Sequence, residues 1–250
     1  MGLGETTNSA FYLTIKYDAD GNQLWVRRLA GFNQWGTEPR GFSVDRFGNA
    51  VVTGLRRIAD GVDTITTVKY SPSGDELWVR VAAGMEWVSA LGTDGDGNAI
   101  VVGSTWNSNY GISDITVVKY NSAGVVLWTA HYAGTRNGES QSASGLTIDD
   151  AGNIYIAGIG LLPSTGIGGI LSLKYSPQGT LLQSTAYGDV TGRWLGSGVV
   201  QLDNDGNLYL TGTSIYTTTN GWAYDLLTLK YDSNGNQAWA ARYGGQTHEL

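Results

Sequence analysis

Short runs of apolar and β-branched residues alternate along the chain with turns rich in Asp, Asn and Gly. One pattern is Lys-Tyr, then Gly four residues after the Tyr, then Leu-Trp, as in Lys69-Tyr70…Gly74…Leu77-Trp78. Apolar runs on both sides of a glycine-containing turn are typical of a β-hairpin. The pattern occurs five times, with Gln183 in place of Trp in the fourth copy, and its lysines are Lys16, Lys69, Lys119, Lys174 and Lys230.

A second pattern lies between the copies of the first. It is Gly-Asn, a short apolar run and a closing Gly six residues after the first Gly, and it follows a run that ends in Asp, such as Phe42-Ser43-Val44-Asp45. This also predicts a hairpin, so each repeat has four short antiparallel strands in about fifty residues, the size of a propeller blade. The sequence therefore predicts an all-β fold, a β-propeller of four-stranded antiparallel blades. The copies are Gly48–Gly54, Gly97–Gly103, Gly152–Gly158 and Gly206–Gly212.

The two hairpin patterns do not occur equally often. Five copies of the first and four of the second give 4.5 repeat units in one domain over residues 1–250. The units are a half-blade at 1–31 and blades at 32–84, 85–134, 135–188 and 189–245. Three interpretations stay open: part of a larger propeller, a five-bladed ring with one incomplete blade, or a half-blade that another copy completes as a homo-oligomer.

The repeat resembles a known family. The segment Asp114–Trp128, followed by Gly145–Gly158, is similar to the bacterial SBBP β-propeller repeat and more distantly to NHL-type blades. The resemblance extends over nearly the whole chain. It implies a propeller of the kind found in large exported or cell-surface bacterial proteins, so an extracellular or cell-surface location is expected. It brings no common catalytic residues.

All length variation between repeats falls in two connections, which a four-stranded meander places on one face of the blades. Variable loops on a rigid scaffold commonly carry function. Five Trp lie in these connections and outside the repeat, and they either pack between loops or form a stacking surface for a sugar or a partner protein. They are Trp35, Trp87, Trp106, Trp194 and Trp222.

Charged residues recur in the same loops. Glu38, Glu86 and Glu139 precede the first strand of successive blades, and Arg193 adjoins Trp194. The glutamates either cap the loops or form a carboxylate pair at the mouth of a central channel, as glycoside hydrolysis requires. Our main expectation is a non-catalytic module that binds a glycan or protein through these residues. The alternatives are a glycoside-type hydrolase or lyase, and a structural fragment completed by oligomerisation.

Composition excludes several other classes. A net charge of −7 opposes binding to a phosphate backbone, the absence of Cys removes thiolate chemistry, and no apolar stretch is long enough to cross a membrane. Turns such as Asp94–Asn98 lack the later Glu of a calcium loop, so no metal or cofactor is predicted. The repeat Trp are predicted to pack in the core, each with the repeat Lys beside it in a cation–π contact.

Overall fold

The computed structural model describes residues 11–31, 37–60, 62–109, 111–133, 140–161, 168–188, 194–218 and 221–244. In these ranges the chain forms antiparallel sheets: one with two strands and four with four strands each. The predicted all-β propeller is confirmed, and the five sheets fit five blades. The described part of the chain contains no helix long and apolar enough to cross a bilayer.

The strands follow one another as meanders. The half-blade is β1 (Phe11–Tyr17) and β2 (Gln23–Ala30). Blade 1 is β3 (Glu38–Val44), β4 (Ala50–Ala59), β5 (Val62–Tyr70) and β6 (Glu76–Ala82). Blade 2 is β7 (Trp87–Thr93), β8 (Ala99–Asn107), β9 (Ile112–Tyr120) and β10 (Val126–Tyr132). Blade 3 is β11 (Ser142–Ile148), β12 (Ile154–Leu161), β13 (Gly168–Tyr175) and β14 (Leu181–Tyr187). Blade 4 is β15 (Trp194–Leu202), β16 (Leu208–Thr218), β17 (Gly221–Tyr231) and β18 (Gln237–Gly244).

The first strands of the blades, β3, β7, β11 and β15, are the inner strands. Each contacts the next one in order, so together they line the space called here the central channel. The loop mouth is the end of the channel where these strands begin, at Glu38, Trp87, Ser142 and Trp194. The turn mouth is the end where they finish, at Val44, Thr93, Ile148 and Leu202.

The Asp-x-x-Gly-Asn turns are held by their own side chains. In the turn after β3, the Asp45 carboxylate accepts hydrogen bonds from the backbone N of Asn49 at 2.9 Å and from its Nδ2 at 2.9 Å. Gly48 adopts φ +80°, a conformation that glycine reaches at little cost. The same Asp–Asn bonds recur in blade 2, between Asp94 and Asn98. These aspartates therefore serve the turn.

The repeat lysine reaches this turn from the third strand of the blade. Lys69 Nζ lies 2.7 Å from Asp45 Oδ2, and Lys119 Nζ lies 2.8 Å from Asp94 Oδ2, with all four side chains nearly fully buried. Lys69 does pair with Trp78 across β5 and β6, as predicted. Its ammonium, however, pairs with the Asp45 carboxylate and not with the indole ring. A full negative charge stabilises a buried ammonium more than the weak negative potential of an aromatic ring face does.

The repeat Trp connects each blade to the next. The Trp78 ring packs over the turn glycine Gly124, and its Nε1 donates to Ser122 O at 3.0 Å. Trp25 and Trp128 make the same hydrogen bond to Pro72 O and Pro177 O. Gln183 replaces Trp in the fourth copy, and its Nε2 donates to Gly235 O at 3.1 Å. The amide therefore also bonds the next blade, but at the turn Gly, the position that accepts from Arg27 and Arg80 at the first two junctions.

The fifth junction differs from the other four. By the order of the repeats, Trp239 of blade 4 corresponds to the Trp that would cover Gly21 of the half-blade. Trp239 is 40% exposed, and the space where a side chain at Gly21 would lie has no atom within 4 Å. The Trp–Gly contact that joins successive blades is therefore not made between blade 4 and the half-blade.

Candidate functional site at the loop mouth

Every inner strand has a β-bulge close to the loop mouth. The pairing register shifts between Pro39 and Gly41 in β3, between Val88 and Ala90 in β7, and between Ala143 and Gly145 in β11. In β15 the shift lies between Ser197 and Val200. A bulge leaves one residue outside the ladder and redirects its side chain. The residues left outside the ladder pairing in this way include Arg40, Ser89 and Ser144.

The closing Gly of the second sequence pattern makes this bulge feasible. A Cβ at Gly54 would collide with the backbone O of Glu38 and lie 2.8 Å from Pro39 Cα. A Cβ at Gly103 would collide in the same way with the backbone O of Trp87, and one at Gly158 with that of Ser142. The closing Gly is therefore the residue that lets the bulged inner strand approach its neighbour, a role for which the sequence pattern gave a signal.

Arg40, the bulge residue of β3, connects two predicted site residues. Its Nη2 lies 2.7 Å from Glu38 Oε2, and its guanidinium lies 3.7 Å from the centre of the Trp87 ring. Glu38 and Arg40 belong to blade 1 and Trp87 to blade 2, so this group joins two inner strands. Trp87 nevertheless remains 47% exposed. The loop mouth thus presents an aromatic surface, a cation and a carboxylate together.

The other predicted site residues lie at the loop end of blades 2 and 4 or outside the described residues. Glu86 is exposed and directly precedes Trp87. Trp106 is 49% exposed and lies near the end of β8, two residues after Ser104, the partner of Trp87 in the sheet. Trp194 begins β15, and Trp222 pairs with Thr217 at the same end of blade 4. Trp35, Arg193 and Glu139 lie outside the described residues.

Arg40 was not among the predicted site residues. Arg40 becomes a candidate site residue only because of the bulge in β3 and the contact between β3 and β7, which crosses a blade boundary. Glu38 and Trp87 are 49 positions apart in the chain, so no local sequence pattern predicts that both contact Arg40.

The turn mouth contains a cavity of about 400 Å³. Most of the carboxylates that line it already accept hydrogen bonds within the turns. Its lining includes Arg46, Asp94, Asp149 and Asp150. Burial alone would raise the pKa of Asp94, but hydrogen bonds from Lys119 and Asn98 outweigh it and lower the pKa. Asp149 accepts hydrogen bonds from Asn153 and Tyr155. Two of the three carboxylates at this mouth are thus committed to holding the turns.

A metal centre is not apparent in the part of the chain that the structure describes. No group of three or more His, Cys, Asp and Glu side chains lies there in positions that would hold a metal ion.

Comparisons with known proteins extend these observations. No protein-family model and no curated protein matches the chain, so the resemblance to the SBBP repeat stays a prediction. Among solved structures, an α-L-arabinanase of Penicillium chrysogenum in complex with arabinobiose is similar, with a TM-score of 0.60 and 10% identity over 94% of this chain and 71% of that one. A GH93 α-L-arabinofuranosidase of Fusarium graminearum with arabinobiose has a TM-score of 0.58 and 8% identity over 82% of this chain and 65% of that one. A Dyadobacter fermentans protein of unknown function has a TM-score of 0.55 and 9% identity over 99% of this chain and 75% of that one.

At identities this low, the likeness shows the shared propeller fold. The chain spans about two thirds of the length of the Fusarium enzyme. The expectation of a non-catalytic binding module is wrong in light of these comparisons, because two of these similar propellers are an α-L-arabinanase and an α-L-arabinofuranosidase.

Proposed function

We propose that the protein is a glycoside hydrolase whose substrate binds at the loop mouth of the central channel. The observation that carries the proposal is the group of Glu38, Arg40 and Trp87, which brings a carboxylate, a guanidinium and an exposed indole together on two inner strands. Sugar-binding sites combine an apolar surface with a few fixed polar groups. A group on inner strands is also held more rigidly than one on loops.

The group and the neighbouring Glu86 have separate roles in this proposal. Hydrolysis of a glycosidic bond commonly uses two carboxyl groups, one as acid and the other as nucleophile or base. Glu38 accepts a charge-assisted hydrogen bond from Arg40, which fixes the orientation of its carboxylate for the role of nucleophile or base. Glu86, exposed beside Trp87, is the candidate acid. Trp87 offers its indole surface to the sugar ring.

The substrate class we propose is an arabinose-containing glycan. Two of the similar propellers were solved with arabinobiose, so arabinose-containing glycans are the first substrates to test on this protein. The first experiment measures release of reducing ends from linear arabinan, branched arabinan and arabinobiose, with xylan and cellulose for comparison. Cleavage of an arabinose substrate is the expected result, and no cleavage of any of them would overturn the proposal.

Variants of the proposed site residues then test at which mouth of the channel the reaction takes place. Replacement of Glu38 by Gln is expected to lower kcat by about 10²- to 10⁴-fold, the range for loss of a general acid or base. Trp87→Ala should mainly raise KM, since the indole contacts substrate without taking part in proton transfer. Asp20→Asn, in an exposed turn of the half-blade, is the matched control and should leave both constants unchanged. If Asp150→Asn at the turn mouth abolishes cleavage while Glu38→Gln does not, the site lies at the other mouth.

A further inference from the structure

Two exposed tryptophans extend from the same face of blade 2 at the loop mouth. Trp87 on β7 pairs with Ser104 on β8, and Trp106 follows two residues later on β8. Residues that pair across antiparallel strands, and residues two apart on one strand, project to the same face. Trp87 and Trp106 are therefore diagonal neighbours, which in a sheet lie about 7–8 Å apart. Two indole rings at this spacing offer adjacent stacking surfaces.

The fold does not use these two rings in the way that it uses the repeat tryptophans. Trp25 and Trp78 are almost fully buried, and the Nε1 of each donates to a backbone oxygen of the next blade. Trp87 and Trp106 are 47% and 49% exposed. Neither Nε1 has a hydrogen-bond partner among the described residues. Both rings and their N–H groups are thus available to a ligand.

The position of Arg40 gives the aromatic surface a direction. Its guanidinium comes from blade 1 and lies 3.7 Å from the centre of the Trp87 ring, so it occupies one face of that indole. The face of β8 that carries Trp106 also carries Ile100 and Val102, which share a core cluster with residues of blade 3. This face is therefore turned away from blade 1. From the Arg40 side, the surface runs over Trp87 to Trp106, one strand further from the channel.

Trp106 is anchored on a well-connected part of the blade. It pairs with Ser113 of β9. The Ser113 N–H donates to Ser140 Oγ at 3.2 Å, and the Ser113 carbonyl accepts from the Gln141 N at 2.8 Å. These bonds connect blade 2 to the segment that leads into β11 of blade 3. A surface that is held in place before a ligand arrives loses less conformational freedom on binding.

We propose that Trp106 holds a second sugar unit, so that the protein acts on chains of three or more units in preference to disaccharides. This inference rests on the proposed hydrolase function. One unit stacks on Trp87, the bond to be cleaved lies on the Glu38 side of that unit, and the next unit outward stacks on Trp106. Each indole supplies a wide apolar surface and an N–H donor for a hydroxyl. Arabinobiose, with one unit on each side of the bond, leaves Trp106 unoccupied.

Linear arabino-oligosaccharides of two to six units test the proposal. We expect kcat/KM to rise about 3- to 10-fold from two units to three, the effect of one added aromatic contact. Trp106→Ala should remove most of this rise, and Trp106→Phe, which keeps an aromatic face, should retain most of it. Tyr243→Ala is the matched control, because Tyr243 is a 74% exposed aromatic residue on β18, and it should keep the full rise. If arabinose chains are cleaved without such a rise, or if the rise persists in Trp106→Ala, the second-unit site is overturned and the proposed function stands.

Calorimetry separates this inference from the proposed function. Titration of the Glu38→Gln protein, in which cleavage is slowed, should show tighter binding of arabinotriose than of arabinobiose. The difference should shrink when Trp106→Ala is added. Length-dependent binding that requires Trp106, without cleavage by the wild type, would overturn the proposed function and support the second-unit site. Equal affinity for the two glycans, or no binding of either, would overturn the site whatever the activity.

Discussion

Lys69 Nζ lies 2.7 Å from Asp45 Oδ2, and both side chains are almost completely removed from solvent. Asp45 begins the turn between the first two strands of blade 1, and Lys69 lies on the third. The pair therefore connects the two hairpins of one blade. Blade 2 repeats the arrangement with Lys119 and Asp94.

Removal of the lysine from this pair should be strongly destabilising. Lys69→Met would leave the Asp45 carboxylate buried without its cation, and breaking a buried pair in this way costs about 3–5 kcal/mol. Urea unfolding followed by circular dichroism measures the loss. Lys230→Met is the matched control, because Lys230 and Asp203 are 3.9 Å apart and partly exposed, and it should cost less. Equal losses in the two variants would contradict a special role of the buried pair.

The same pair predicts a loss of stability in acid. Burial alone would raise the pKa of Asp45, but hydrogen bonds from Lys69 and Asn49 outweigh it, so the folded-state pKa is lowered. The unfolded chain therefore binds a proton more readily, near its ordinary pKa of about 4. The stabilisation is complete above that pH and is lost as the pH falls through the lowered pKa of the folded state.

Unfolding free energies measured between pH 6 and pH 2 test this expectation. They should decline below about pH 4. The decline should be shallower in Asp45→Asn, which removes one titrating carboxylate. An identical pH dependence of the variant and the wild type would show that Asp45 does not contribute to the acid sensitivity.

The contact between blades predicts a difference between two glycines of similar backbone conformation. Gly124 has φ +79° and Gly84 has φ +76°, so Ala at either position carries a left-handed strain of about 1–2 kcal/mol. A Cβ at Gly124 would also lie 2.7 Å from the buried Trp78 ring, whereas nothing lies within 4 Å of one at Gly84. Gly124→Ala should therefore lose about 1–3 kcal/mol more than Gly84→Ala in denaturant unfolding. Equal losses would mean that the ring moves aside freely.

The open fifth junction predicts unequal effects of two tryptophan substitutions. Trp78 is 5% exposed and Trp239 is 40% exposed. Trp78→Ala should cost about 3–5 kcal/mol, as for other buried aromatic residues, and Trp239→Ala clearly less. Thermal unfolding of the two variants gives the comparison. A loss at Trp239 as large as that at Trp78 would indicate that Trp239 is covered in solution, as it would be if it packed on Gly21.

The candidate site was predictable only in part. Glu38 and Trp87 are recognisable as residues that interrupt the repeat near the start of an inner strand. Arg40 is not, because a single arginine among polar loop residues carries no periodic signal. The closing Gly was visible as a fixed position, but its reason, a bulge that brings two backbones too close for a Cβ, appears only when Gly54 faces Glu38.

The sequence by itself determined the blades, because hairpin strands, turn glycines and turn aspartates are selected by local backbone geometry and recur at nearly constant spacing. It also determined the excess of one hairpin, which is a matter of counting. Tertiary structure alone decided which charges are paired: Lys69 and Lys174 belong to the same pattern, yet Lys69 pairs with Asp45 whereas Lys174 lies over the ring of Tyr155. It likewise decided the contact of Arg40 with Trp87 and the exposure of Trp239. Those features depend on packing between blades, where the partners are distant in the chain and no local rule connects them.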